Sequence, residues 1–339
     1  MKHTPKAAPK DGANRTHPSY RRAVWLGAGT VLFLAAVGWF WLTRGTELAT
    51  LRGHRGMVRA VAFSPNGDIL ASAGEDRQIR VWDATRYRLR LTLDGHTDAV
   101  TSLAFAPDSA LLASASADHT VRLWDASTGQ EVATLAGSNK SVNSVAFTPD
   151  GRVLAAAGAD AKVRLWQVAN REQLRMLEGH SKSIRAVAFA PDGRTLATGG
   201  EDGIILLWDW NTGRSVARLR VAGGRIYTIA FTSDSRILAA AMTGGGVQWW
   251  DVSSRQERSR LSEGRGLAMS LAFGPDNQIM ATAHEDGAVK LWDVGDGKLH
   301  HTLRGHSRSI VGVAFTPDGR RIATAGADGT VKCWAVPGR

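Results

Sequence analysis

Residues 53–96 read GHRGMVRAVAFSPNGDILASAGEDRQIRVWDATRYRLRLTLDGH. Four short apolar runs stand out: Val58–Phe63, Ile69–Ala73, Gln78–Trp82 and Leu89–Leu93. Between them lies turn chemistry, Ser64-Pro65-Asn66-Gly67 and Glu75-Asp76, in which Pro presets a turn dihedral, Asp bonds its own backbone and Gly accepts positive φ. Runs this short and this often interrupted predict four strands rather than helices. The stretch opens on Gly53-His54 and ends on Gly95-His96, where the pattern begins again.

The repeat length is 42 residues. Tryptophan returns at Trp82, Trp124, Trp166, Trp208, Trp250, Trp292 and Trp334 with no insertion or deletion. Phenylalanine keeps step at Phe63, Phe105, Phe147, Phe189, Phe231, Phe273 and Phe315. A strand-rich period near 40, repeated seven times, predicts a closed ring of sheets.

These residues resemble the WD40 family. The tryptophan is followed by aspartate at Trp82-Asp83, Trp124-Asp125, Trp208-Asp209, Trp250-Asp251 and Trp292-Asp293, and Gly-His pairs recur at Gly53-His54, Gly95-His96, Gly179-His180 and Gly305-His306. The resemblance covers residues 46–339 and implies an all-β, seven-bladed β-propeller with one four-stranded blade per repeat. Proteins of this family usually hold partners rather than perform chemistry. Strand counting adds how the ring closes. Thr46–Leu51 matches the fourth strand of a repeat but has no repeat before it, and the chain given ends five residues after Trp334. The N-terminal strand is therefore expected to complete the seventh blade, leaving no open edge.

Ahead of the ring, residues 23–43 carry no charge and end in Trp39-Phe40-Trp41-Leu42-Thr43. As a helix they would span roughly 31 Å, enough for a bilayer core, with an aromatic belt at one end. Residues 1–22 hold Lys2, Lys6, Lys10, Arg15, Arg21 and Arg22 against Asp11. The expectation is a disordered cytoplasmic tail, an uncleaved single-pass anchor and a propeller outside the cytoplasm, periplasmic in a bacterium. A cleaved signal is the competing reading, disfavoured because no Ala-x-Ala site follows Trp41. Only Arg44-Gly45 separates the helix from the first strand, which is expected to hold the bottom rim near the bilayer and leave the top face free.

The formal charge of +11 is concentrated at the N-terminus. The remainder is unexceptional and gives no reason to expect nucleic acid. Cys333, the only cysteine, occupies a position that is Val81 or Leu123 elsewhere, so it is expected in the core.

Each full repeat also holds a histidine, a hydroxyl, an aspartate and an indole at fixed offsets. These are His54, Ser72, Asp76 and Trp82; His96, Ser114, Asp118 and Trp124; His180, Thr198, Asp202 and Trp208; His306, Thr324, Asp328 and Trp334. Ser, His and Asp together invite a hydrolase reading. Fourfold repetition argues instead for structure, and the resemblance implies a buried hydrogen-bond chain. Repeat three has Ser138 and Ala156 at the histidine and hydroxyl positions, repeat five has Ala222, Ala240 and Gly244, and repeat six has Gly264. With Ser138 present, Asp160 is expected to matter less than Asp118. His300 and His301 are expected on opposite strand faces, and His284 in an exposed turn. Trp210 and Trp249 stand at normally apolar positions and are expected to pack. No zinc spacing, phosphate loop or nucleotide motif is present, so no cofactor or metal is expected.

In repeat five, Gly223-Gly224-Arg225-Ile226-Tyr227 and Thr243-Gly244-Gly245-Gly246 replace the regular loops, through either drift or specialisation. The resemblance puts these loops on the top face at the channel entrance, near Met57, Arg59, Arg185, Leu267 and Met269. Met57, Arg59, Arg185, Arg225, Tyr227 and Met269 are the expected contacts for a protein or peptide, since Tyr, Arg and Met favour interface cores. A membrane-tethered, non-enzymatic scaffold is the leading functional expectation. An enzyme or ligand-binding propeller, or an extracytoplasmic sensor, are the alternatives.

Overall fold

The computed structural model describes residues 46–244, 246–262 and 267–338. The expected tail 1–22 and helix 23–43 lie outside them. Among the described residues no helix is long and apolar enough to cross a membrane.

The described chain is all β: 28 strands form seven antiparallel four-stranded sheets, the blades. Blade one comprises β2 (Val58–Phe63), β3 (Ile69–Gly74), β4 (Ile79–Asp83) and β5 (Arg88–Leu93). The expected boundaries hold to within one residue. Each later repeat forms the next blade in the same order.

Blade seven closes the ring as strand counting requires. Its sheet runs β26 (Ile310–Phe315), β27 (Arg321–Gly326), β28 (Val331–Ala335) and then β1 (Glu47–Leu51) from the start of the described chain. Leu51 pairs with Val331 and Glu47 with Trp334. Lys332 Nζ adds bonds to Glu47 Oε1 at 2.7 Å and Thr50 Oγ1 at 2.8 Å.

The core is divided among the blade interfaces. Ala71, Ile79 and Leu93 of blade one pack with Val100, Leu112 and Trp124 of blade two. Leu51, Val331 and Cys333 of blade seven pack with Val58, Leu70 and Trp82 of blade one. Both faces of a second strand are thus covered, and β3 is buried at all six positions. This explains the small side chains of Ile69-Leu-Ala-Ser-Ala-Gly74, since neighbouring sheets leave little space on either side. Cys333 is buried here as expected, and burial pushes its thiol up to about 12, so it behaves as an apolar filler.

Where an aspartate follows the repeat tryptophan it has a local task in the next turn. Asp83 Oδ1 accepts from the Thr85 amide at 3.0 Å, the Arg86 amide at 2.7 Å and the Thr85 hydroxyl at 2.7 Å. The Thr85 hydroxyl and Arg86 amide hold its carboxyl at about 2. Asp125 and Asp251 cap their turns in the same way.

Candidate functional site at the channel mouth

Two loops make the top of a blade: the one entering its first strand and the turn between its second and third. In blade one they meet through a bond from the Glu75 amide to the Met57 carbonyl at 2.9 Å. The His–hydroxyl–Asp–Trp unit ties them to the sheet. Trp124 Nε1 donates to Ser114 Oγ at 2.8 Å, Ser114 Oγ meets His96 Nε2 at 2.7 Å, and His96 Nδ1 meets Asp118 Oδ2 at 2.7 Å. A carboxylate only accepts, so Nδ1 carries the proton and Nε2 accepts from the hydroxyl. Blades one, four and seven repeat the chain through His54, His180 and His306.

Burial keeps the His96, His180 and His306 imidazoles below their usual range despite the neighbouring carboxylates. Burial alone would raise Asp118, but bonds from Thr120 and His96 overcome it and hold the carboxyl at about 2. The unit is therefore a neutral imidazole donating to an ionised carboxylate. Its distances match a nucleophilic triad, yet Ser72, Ser114, Thr198 and Thr324 are wholly buried and already bonded to indoles. No substrate carbonyl reaches them, and this favours the structural role.

The divergent blades replace the unit in different ways. In blade three the Arg164 guanidinium takes the histidine's place on Asp160, with Nη1 2.7 Å from Oδ2 and both side chains buried. The expectation that Asp160 matters less than Asp118 rested on Ser138 and did not include this partner. In blade five, Gln248 Oε1 accepts from the Ala222 amide at 3.0 Å, and Thr243 Oγ1 donates to the Gly223 carbonyl at 2.6 Å. In blade six, His284 is fully buried instead of exposed, and its Nε2 meets Thr282 Oγ1 at 2.8 Å. At the equivalent Gly200 and Gly326, an added Cβ would lie 2.7 and 2.4 Å from the loop histidine. The residue at that histidine's position in repeat six is Gly264, which has no side chain to compete with an imidazole from the strand.

His300 and His301 also depart from expectation. Their rings meet edge to face at 4.7 Å. The ladder shifts register here, with Trp292 opposite Leu299 and Leu291 opposite His301, so His300 sits in a bulge and strand alternation fails. Trp210 packs edge-on against Phe189 and donates to the Gly193 carbonyl, and Trp249 is buried against Phe273, as expected.

A second set of bulges builds the channel mouth. In β2, Val58 pairs with Gly74 and Ala60 with Ala73, leaving Arg59 unpaired. Every first strand does the same, so Thr101, Asn143, Arg185, Tyr227, Met269 and Val311 are the other bulged residues. A bulge re-aims its side chain. All seven line one cavity of about 320 Å³, together with Met57 and Ser309. Five of the six residues singled out from sequence are brought together there. Arg225 is not among the lining residues, although its loop is adjacent. Thr101, Asn143, Ser309 and Val311 escaped sequence reasoning, and stepping 42 residues from Arg59 would have found three of them.

The mouth is chemically uneven. Arg59 pairs with Glu75 at 3.0 Å and Arg185 with Glu201 at 3.8 Å, all four partly exposed. Thr101 donates to the Val142 carbonyl at 2.6 Å, and Asn143 to the Ile184 carbonyl at 2.8 Å, linking each blade to the next. Tyr227, Met269 and Val311 make the remaining arc apolar.

The repeat pattern described as WD domain, G-beta repeat, matches residues 45–83, 87–125, 129–167, 171–209 and 297–335, more than half of the chain. The chain belongs to the WD40-repeat family. The pattern described as anaphase-promoting complex subunit 4 WD40 domain matches residues 259–315. Trp250 of blade five falls in neither set of matches. Among curated proteins, the nuclear distribution protein PAC1 of Tuber melanosporum is 50% identical over 46 residues, 14% of this chain and 10% of that protein. PAC1 of Arthroderma benhamiae and nuclear distribution protein nudF 1 of Talaromyces marneffei are each 48% identical over 46 residues, with the same coverage. The match spans about a tenth of these relatives, roughly one repeat. A WD40 propeller of this kind points to a protein-interaction scaffold.

Proposed function

We propose that the protein is a membrane-tethered, non-enzymatic scaffold that holds a protein or extended peptide at the top-face mouth of its channel. The observation that carries this reading is the ring of bulged residues. The buried unit recurs with the same chemistry in four blades, whereas the bulge position varies through Arg, Thr, Asn, Arg, Tyr, Met and Val. Two half-exposed Arg–Glu pairs beside an apolar arc suit a side chain with an apolar body and a polar end. The tether rests on the uncharged residues 23–43 and the basic segment before them, which also support a propeller outside the cytoplasm.

The test is recovery of partners from membranes with the full chain, beside a form beginning at residue 45. Alanine at Arg59, Arg185 and Tyr227 together should abolish recovery. Full recovery by this variant, with loss on changing the bottom-face Arg171 or Arg214, would assign binding to the other face.

A further inference from the structure

A second top-face feature lies outside the channel, on blade one. Gly53, Arg55, the turn Glu75–Gln78 and Arg80 line an open groove of about 560 Å³. Both carboxylates in its lining are already engaged. Glu75 accepts from Arg59 at 3.0 Å and from the Met57 amide at 3.2 Å. Asp76 accepts from His54 at 2.9 Å and from the Arg55 amide at 3.1 Å.

The three guanidiniums are not matched. In three other blades the basic residue equivalent to Arg80 has an acid: Arg122 pairs with Glu131, Lys332 with Glu47 and Arg164 with Asp160. In blade one the position of Glu131 is Leu89, and Asp76 is held by its histidine. Arg80 Nη2 donates only to the Gln78 side-chain oxygen at 2.9 Å, while its buried Nε has no hydrogen-bond partner. The Gln78 amide in turn donates to Asp94 at 2.9 Å. Gly53 lets the guanidinium lie against the loop, since a Cβ there would stand 2.6 Å from Arg80 Nη1. Arg77 reaches only the Thr97 carbonyl, at 3.4 Å. Among the described residues none of Arg55, Arg77 and Arg80 forms an ion pair. No other repeat is basic at all three positions; blade two has Thr97, His119 and Arg122.

We propose that this groove binds a doubly charged oxyanion of the phosphate-monoester type. Three guanidinium forks around one opening match an anion with several acceptor oxygens. A single carboxylate would leave most of the charge unanswered.

The probe is a fluorescent peptide carrying one phosphoserine among neutral residues, titrated by anisotropy into the full-length protein in a neutral detergent. Serine and glutamate versions and inorganic phosphate as competitor complete the set. Saturable binding of the phosphopeptide alone is expected, weakened about tenfold or more by Arg80→Gln and by Arg77→Gln. Arg152→Gln, in an exposed bottom turn, should leave it unchanged. Arg77 sits at positive φ in a turn where His119 and Ala161 do the same, so its variant keeps the fold. Displacement by inorganic phosphate would make the free anion a ligand, and resistance to displacement would require the phosphorylated side chain; both support the site. Equal affinity for the glutamate peptide, insensitivity to both arginine variants, or no binding would overturn it.

Discussion

Blade two and blade three share their strand register, yet different chemistry secures their top loops. In blade two a neutral imidazole joins Ser114 to Asp118. In blade three the imidazole and hydroxyl are absent, and Arg164 spans the gap to Asp160. A cavity of about 10 Å³ beside Ser138, Ala156 and Trp166 marks what the guanidinium leaves unfilled. The two blades show that the backbone depends on the ladder and the interface core, which they share. The polar unit is replaceable provided that no buried donor or carboxylate is left alone.

The comparison is most sharply tested at the two aspartates. Asp160→Ala strands a buried guanidinium, at a cost of about 3–5 kcal/mol. Asp118→Ala leaves a neutral imidazole without its acceptor, at about 1–3 kcal/mol. Denaturant midpoints should rank Asp160→Ala as the more damaging. The reverse order would mean that Arg164 reaches solvent and the buried pair is not formed.

Blade six extends the comparison to pH. Burial lowers the His284 imidazole from its ordinary 6.5 to about 4. The unfolded chain then takes up the proton first, so the stabilising effect is complete above pH 6.5 and declines as pH falls toward 4. The full difference is on the order of 3 kcal/mol. His96, His180 and His306 shift in the same direction and add to the slope. Asp118 and Asp328, held at about 2, act in a lower window, their contribution being lost below pH 3.8. His284→Gln should flatten the stability curve between pH 6.5 and 4 and leave the acid limb below it. An unchanged slope would place His284 in contact with water.

Blade three can also be converted to the blade-two pattern. Ser138→His with Ala156→Ser supplies the missing groups, and Arg164→Leu copies blade four, where Leu206 accompanies His180 and Asp202. The triple variant should come within about 1 kcal/mol of the parent. In that background Asp160→Ala should cost about 1–3 kcal/mol, as its counterpart does in blade two. If the cost stays at the parental level, the unit depends on more than these four positions.

The sequence made the ring legible because the 42-residue period is unbroken and a four-stranded unit repeated in phase has few ways to fold. Closure by Thr46–Leu51 followed from counting strands alone. The substitutes were harder to see. Arg164, Gln248 and His284 lie at offsets that carry ordinary residues in other repeats, and their role depends on space vacated by a neighbour. The bulges were hidden for another reason. Strict alternation sends Arg59 and its equivalents to a strand face, and only the register shift between Val58 and Ala60 turns them into the channel mouth.

The smallest stability effect is expected at that mouth, and it separates the two kinds of periodic position. Arg59 and Arg185 make partly exposed ion pairs, which contribute about 0–1 kcal/mol each. Tyr227 lies at the cavity wall rather than inside an interface core. Alanine at all three should therefore change the denaturant midpoint little, by about 1 kcal/mol or less for each ion pair lost, while removing the side chains proposed to meet a partner. The comparison with Asp160→Ala is then a contrast in kind. One buried carboxylate is expected to outweigh three mouth residues in stability, and under the proposed function the mouth residues are expected to outweigh it in partner recovery. A triple variant that destabilises the protein as much as Asp160→Ala would show that the bulged side chains brace the blades, and partner loss in that variant would no longer identify a binding surface.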